Sequence, residues 1–124
     1  MLKELKYISQ IPDQGFRKWF EDDFFDLVVW YHSKQSSNTI EGFQLCYDKP
    51  NNEHAFTWFR KHGYMHNRID DGEIVGSYKM TPVLVSDGVV PIKKIIAEFD
   101  KRSQNMDKKV RQLVMKKLKE FSKY

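Results

Sequence analysis

The sequence predicts an α+β protein: an antiparallel meander sheet of about five to six strands, with a short N-terminal helix and two C-terminal helices packed on one face. Three observations carry this. Between Phe25 and Val85, β-branched and aromatic runs alternate with turn chemistry. After Pro91 the apolar residues switch to a helical period. Strands in a run followed by helices are the pattern of an α+β fold. With 124 residues, 40% of them hydrophobic, the chain (1–124) is expected to be a single domain around one core.

Leu2 to Ser9 reads as a short first strand closed by Pro12. Asp13 can cap the short N-terminal helix, whose stripe is Phe16, Trp19 and Phe20 at i, i+3, i+4. The acidic run Glu21, Asp22, Asp23 then makes a solvated end or turn. Phe25 to His32 is apolar on both parities, which predicts an interior strand covered on both faces. Ser33 to Asn38 is a polar connection.

Ile40 to Asp48 alternates: Phe43, Leu45 and Tyr47 take one face, and Gly42, Gln44, Cys46 and Asp48 the other. Lys49 to Asn52 is turn chemistry. Setting Asp48 opposite Glu53 puts Tyr47 on His54, Leu45 on Phe56 and Phe43 on Trp58, one coherent apolar face. His62-Gly63 as a two-residue turn leads to a strand from Tyr64 to Asp70, with Thr57 opposite Arg68 and Ala55 opposite Asp70. A three-residue loop with Gly63 in a bulge gives the opposite facing.

Asp71-Gly72 turns again, and Tyr78 to Val85 reads as an edge strand limited by Pro82. Pro91 suits the first turn of a helix with the stripe Ile92, Ile95, Ile96, Phe99. Ser103 or Asn105 can cap the last helix, whose stripe is Val110, Leu113, Val114, Leu118 and Phe121. Its other face carries Lys108, Lys109, Arg111, Lys116 and Lys119.

Composition narrows the function classes. Cys46 is the only cysteine, so there is no internal disulfide. No apolar run reaches the roughly 18 residues of a membrane span, and the first residues lack a secretory h-region, so a cytoplasmic, membrane-free location is expected. Residues 1–89 carry a balance of −3 and residues 90–124 one of +7. That basic third can meet a polyanion, but a solvated helix face explains it too, and it lacks the interleaved aromatics of a nucleic-acid platform.

The expected site is the face opposite the aromatic one. There the rows Gln44–Thr57–Arg68 and Cys46–Ala55–Asp70 put small residues between polar ones, with His66 beside them. Gln44, Thr57, His66, Arg68 and Asp70 would form a floor for a small polar or anionic ligand or a protein partner, with Arg68 forking onto a carboxylate or phosphate. The rival is a small hydrolase or transferase using Cys46, His66 and Asp70. A plain solvated sheet face is the bland account of the same residues. His66, Asp70, Asp71 and Glu73 lie near one turn, but no HExxH, CxxC or DxDxDG spacing supports a metal site. No glycine-rich phosphate loop or GxSxG element is present, and no cofactor is expected.

The segments GFQLCYDK (Gly42–Lys49), EHAFTW (Glu53–Trp58), HNRIDDGE (His66–Glu73) and YKMTPVLVSDG (Tyr78–Gly88) resemble those of a family of short uncharacterised bacterial proteins. The likeness extends back to DLVVWY (Asp26–Tyr31) and covers about half the chain. It implies a bacterial, cytosolic origin and brings no activity or catalytic residue with it.

Overall fold

The computed structural model describes residues 1–6, 10, 15–34, 39–49, 53–68 and 90–123, without the side chains of Asn67 and Arg68. The strands are β1 (Lys3–Leu5), β2 (Phe16–Glu21), β3 (Asp26–Tyr31), β4 (Ile40–Tyr47), β5 (His54–Phe59) and β6 (Gly63–Arg68). They pair in chain order, all antiparallel, as one six-stranded meander. The helices α1 (Ile92–Arg102) and α2 (Lys108–Phe121) follow. The strand expected at Tyr78–Val85 lies outside the described residues.

The expected N-terminal helix is replaced by β2. Phe16 and Phe20 are four apart, so they share a face in a strand as well as in a helix. Pairing with β3 sets Phe16 opposite Tyr31 and Phe20 opposite Leu27 and sends Trp19 to the far face opposite Val28. A helix there would have left β3, apolar on both sides, with an open edge. Six backbone pairs to β3 and three to β1 remove that edge.

Leu27, Val29, Phe43, Leu45 and Phe56 are fully buried on one face, in the same cluster as Ile95 and Phe99 of α1 and Val110, Val114 and Leu118 of α2. Phe99 meets Phe25, and Phe121 meets Phe56 edge-on at 5.1 Å. The far face carries a second buried cluster of Val28, Trp30 and Phe59 with Trp19 and Met65 against it. Gly42 lies under the Phe59 ring: a Cβ there would sit 2.3 Å from it.

The cap of α2 is Asp107 rather than Ser103 or Asn105; its carboxylate accepts the Val110 N–H. Ser103 instead ends α1, where its buried hydroxyl accepts the Arg111 Nε–H at 3.0 Å. Arg102 ties α1 to the β2–β3 turn through Asp22 (3.2 Å) and Asp23 (2.9 Å), holds Glu98 at 2.8 Å and lies over the Phe24 ring. Its guanidinium keeps the Asp23 and Glu98 carboxyls below their usual range, chiefly by direct hydrogen bonds. Asp22 also accepts the N–H groups of Phe24 and Phe25, so the expected acidic turn is the anchor of the first helix.

The β4–β5 register is as expected from the sequence: Tyr47–His54, Leu45–Phe56, Phe43–Trp58. The β5–β6 register is not. Phe59 pairs with Gly63 across a three-residue loop, His62 N–H donates to the Phe59 carbonyl, and Gly63 has φ +75°. This is the three-residue turn followed by a left-handed bulge residue. It shifts the pairing by three and turns every β6 side chain over.

Among the described residues, chain neighbours aside, no atom lies within 4 Å of a Cβ built on Gly63, so the requirement seen there is conformational. Gly63→Ala is expected to destabilise the fold by about 1 kcal/mol, and Gly63→Asn by less, since asparagine tolerates the left-handed region. Urea denaturation measures both; equal stability of all three proteins would mean the bulge does not set the hairpin.

Candidate functional site

The expected polar face does not assemble. Gln44 and Thr57 are neighbours, with the Gln44 amide donating to the Thr57 hydroxyl at 3.4 Å. Their row, however, runs Trp19–Val28–Gln44–Thr57–Met65, because Met65 rather than Arg68 stands opposite Thr57. The backbone of Arg68 pairs with His54, its side chain is outside the described set, and Asp70 lies outside the described residues. His66 is on the helix-bearing face, opposite Phe56. There its Nε2 shares a short hydrogen bond with the Tyr47 hydroxyl, and its ring stacks on those of His54 and Tyr47 at 5.5 and 5.9 Å.

This also dismantles the Cys46–His66–Asp70 alternative. Cys46 and His66 project from opposite faces of the sheet. Cys46 is fully buried between Asp26 and Ala55, and burial pushes its thiol well above its usual range, with Glu53 and Asp26 adding to the shift. Glu53 itself is raised, first by burial and then by Asp26. A nucleophilic cysteine needs the reverse surroundings. Lys49, 2.9 Å from Asp26, also donates to the carbonyl of Asp22 at 3.0 Å and so holds the β2–β3 turn. Among the described residues no three of His, Cys, Asp and Glu gather as a metal set.

A site does form at the other end of the sheet. A cleft of about 310 Å³ opens between the helix-side face of β1–β3 and the α1–α2 connection, lined by Leu2, Lys3, Glu4, Lys18, Phe20, Tyr31, Asn105, Met106 and Asp107. Glu4, Lys18, Phe20 and Tyr31 reach it because β1, β2 and β3 present alternate residues to one side. The cap of α2 brings Asp107 to the rim. Lys18 Nζ rides 5.5 Å above the Tyr31 ring.

Tyr31 is the chemical centre of this cleft. It is 4% exposed, and among the described residues its hydroxyl has no hydrogen-bond partner. Its pKa is pushed up to about 12, first by burial and then by the carboxylates of Asp107 and Glu4, so it stays a neutral phenol, able to donate and to accept, well into the alkaline range. Two cations and two carboxylates line the same space, and Lys3, Glu4 and Lys18 form no ion pair among the described residues. The arrangement suits recognition rather than bond breaking: a neutral phenol, balanced charges and an apolar floor of Leu2, Phe20 and Met106.

None of the cleft's polar residues is among the site residues expected from the sequence; Asn105 enters there only as a candidate helix cap. The helical reading of Phe16–Phe20 conceals Lys18, and Tyr31 falls within the interior strand expected from Phe25 to His32. The signal was present in the alternation Phe16–Lys18–Phe20 against Tyr31–Val29–Leu27. No protein-family model, curated protein or solved structure matches the chain.

Two measurements check this geometry. Cys46 is expected to react with a thiol reagent more than roughly 100-fold more slowly in the native protein than in urea, as for a group reached only through opening; equal rates would place it at the surface. Tyr31 is raised above its unfolded value of 10.0, so its contribution to stability is full below pH 10 and lost as the pH rises toward 12. The phenolate absorbance of the wild type minus that of Tyr31→Phe is expected to titrate near 12; a midpoint at 10 would contradict the buried setting.

Proposed function

We propose that the protein is a small cytoplasmic binding module and that its cleft takes a small zwitterionic molecule of amino-acid size. The observation that carries this is the cleft lining: Tyr31, whose hydroxyl has no partner among the described residues, stands there beside two lysines and two carboxylates. A phenol that exchanges water for a ligand acceptor gains about 0.5–1.5 kcal/mol. The volume lies at the lower end of ligand pockets. A lone anion would face Glu4 and Asp107, and a lone cation would face Lys3 and Lys18. A molecule carrying one of each around a short apolar body satisfies all four and covers Leu2, Phe20 and Met106.

The resemblance to short bacterial proteins carries no activity, so the reading rests on the cleft. Cytoplasmic action fits a chain whose single thiol is buried and in which no described helix is long and apolar enough to cross a membrane.

The test is a thermal-shift and calorimetric panel of free amino acids, each beside its decarboxylated amine and its deaminated acid. A zwitterion at a hundred times its Kd adds about 2.7 kcal/mol, while its two halves are expected to add far less. Tyr31→Phe should weaken binding up to about tenfold, the value of one hydrogen bond. No response to any zwitterion, or a response untouched by Tyr31→Phe, would overturn the assignment.

A further inference from the structure

The outer face of α2 bears on a partner of a different kind. At 100° per residue, Lys108, Lys109, Gln112, Lys116 and Lys119 fall within about 100° of arc, and Lys123 continues the line in the turn beyond. Lys108, Lys109, Gln112, Lys116, Lys119 and Lys123 are all exposed. No carboxylate interrupts the stripe. The acids of the two helices are engaged elsewhere: Glu98 with Arg102, Asp100 with Arg111, Glu120 with Lys117, while Asp107 caps the helix. Lys108, Lys116, Lys119 and Lys123 form no ion pair among the described residues. Like charges three and four apart weaken a helix by a few tenths of a kcal/mol per pair, and here nothing in the stripe offsets them.

We infer that this stripe binds the phosphate backbone of double-stranded nucleic acid, without sequence preference. From Lys108 to Lys119 it runs about 16 Å at 1.5 Å per residue, a length over which a duplex presents roughly nine phosphates. The stripe has no aromatic side chain on which bases could stack, which favours a duplex over a single strand. It also has no apolar side chain to sink into a lipid surface. The apolar face of α2 (Val110, Val114, Leu118) is buried in the core, whereas an interfacial helix needs that face for the membrane. The contact is independent of the cleft.

The experiment is fluorescence anisotropy of a labelled 20-base-pair duplex with the full chain, over 50–200 mM salt. Four to five lysine contacts predict a log–log salt slope near −4 and a loss of about two orders of magnitude in affinity across that range. The triple variant Lys108→Gln, Lys116→Gln, Lys119→Gln should make the slope shallower by roughly 2.7. Lys6→Gln, Lys34→Gln, Lys61→Gln removes equal charge from exposed positions elsewhere and should leave the slope nearly unchanged. Thermal melting of both variants confirms folding, since no contact in the core is removed. An equal loss in both triples would reduce the effect to net charge and overturn the assignment. So would absence of duplex binding at 50 mM salt, or binding to phosphatidylserine vesicles in its place.

Discussion

Six side chains from β4 and β5 govern the molecule. Phe43, Leu45 and Tyr47 meet Trp58, Phe56 and His54, and a strand has only two faces, so that register commits every other residue of the two strands. It brings Phe43 and Phe56 into the helix-side core and sends Cys46, Ala55 and Thr57 to the far side. From β3 on one flank and β6 on the other, side chains must match this choice. A slip of one residue would bury Gln44 against the helices and expose Phe56, a loss of several kcal/mol for the ring alone.

One irregularity in that scheme positions the cleft. Trp30 pairs with Gly42, but Tyr31 pairs with Ile40, so β4 carries an extra residue at Glu41. By strict alternation Ile40 would share the face of Gly42. The bulge returns it to the helix-side core beside Tyr31, where both belong to the buried cluster. Glu41 stays half-buried, and its carbonyl accepts the Arg60 N–H at 2.8 Å. Tyr31 thus ends β3 with its ring covered and meets Asp107 from the α1–α2 connection. A tyrosine one residue earlier would have joined the Trp30–Phe59 cluster on the other side.

These details show what the sequence could express. The meander order, the two C-terminal helices and the β4–β5 register follow from alternation, turn residues and the period change at Pro91, each of them local. Residues Phe16 to Glu21 were ambiguous because Phe16 and Phe20 satisfy both periods; the deciding fact is the hydrogen-bonding need of β3, fifteen residues from Phe16 to Tyr31. The β6 register turned on whether Gly63 closes a two-residue turn or follows a three-residue one, and glycine permits both. That single conformational choice separated His66 from Gln44 and Thr57. The cleft was hidden for a third reason: its walls come from β1, β2, β3 and the α1–α2 connection, and no short window of sequence contains them together.

Polar satisfaction elsewhere in the fold is what gives the Tyr31 hydroxyl its meaning. The buried Ser103 hydroxyl receives Arg111, the Thr57 hydroxyl receives Gln44, the Tyr47 phenol meets His66, and the Tyr64 phenol donates to Glu120 at 3.3 Å. Asp22, with almost no exposure, takes two backbone N–H groups and a guanidinium. Tyr31 differs from these groups: its residue is 4% exposed, and its hydroxyl has no partner among the described residues. Trp19 Nε1, also without a hydrogen-bond partner among the described residues, is sealed from solvent. Tyr31 lines an open cleft together with two lysines and two carboxylates. Its ring is covered while its side chain lines the cleft, and burial first, then the carboxylates of Asp107 and Glu4, holds its proton far above neutral pH.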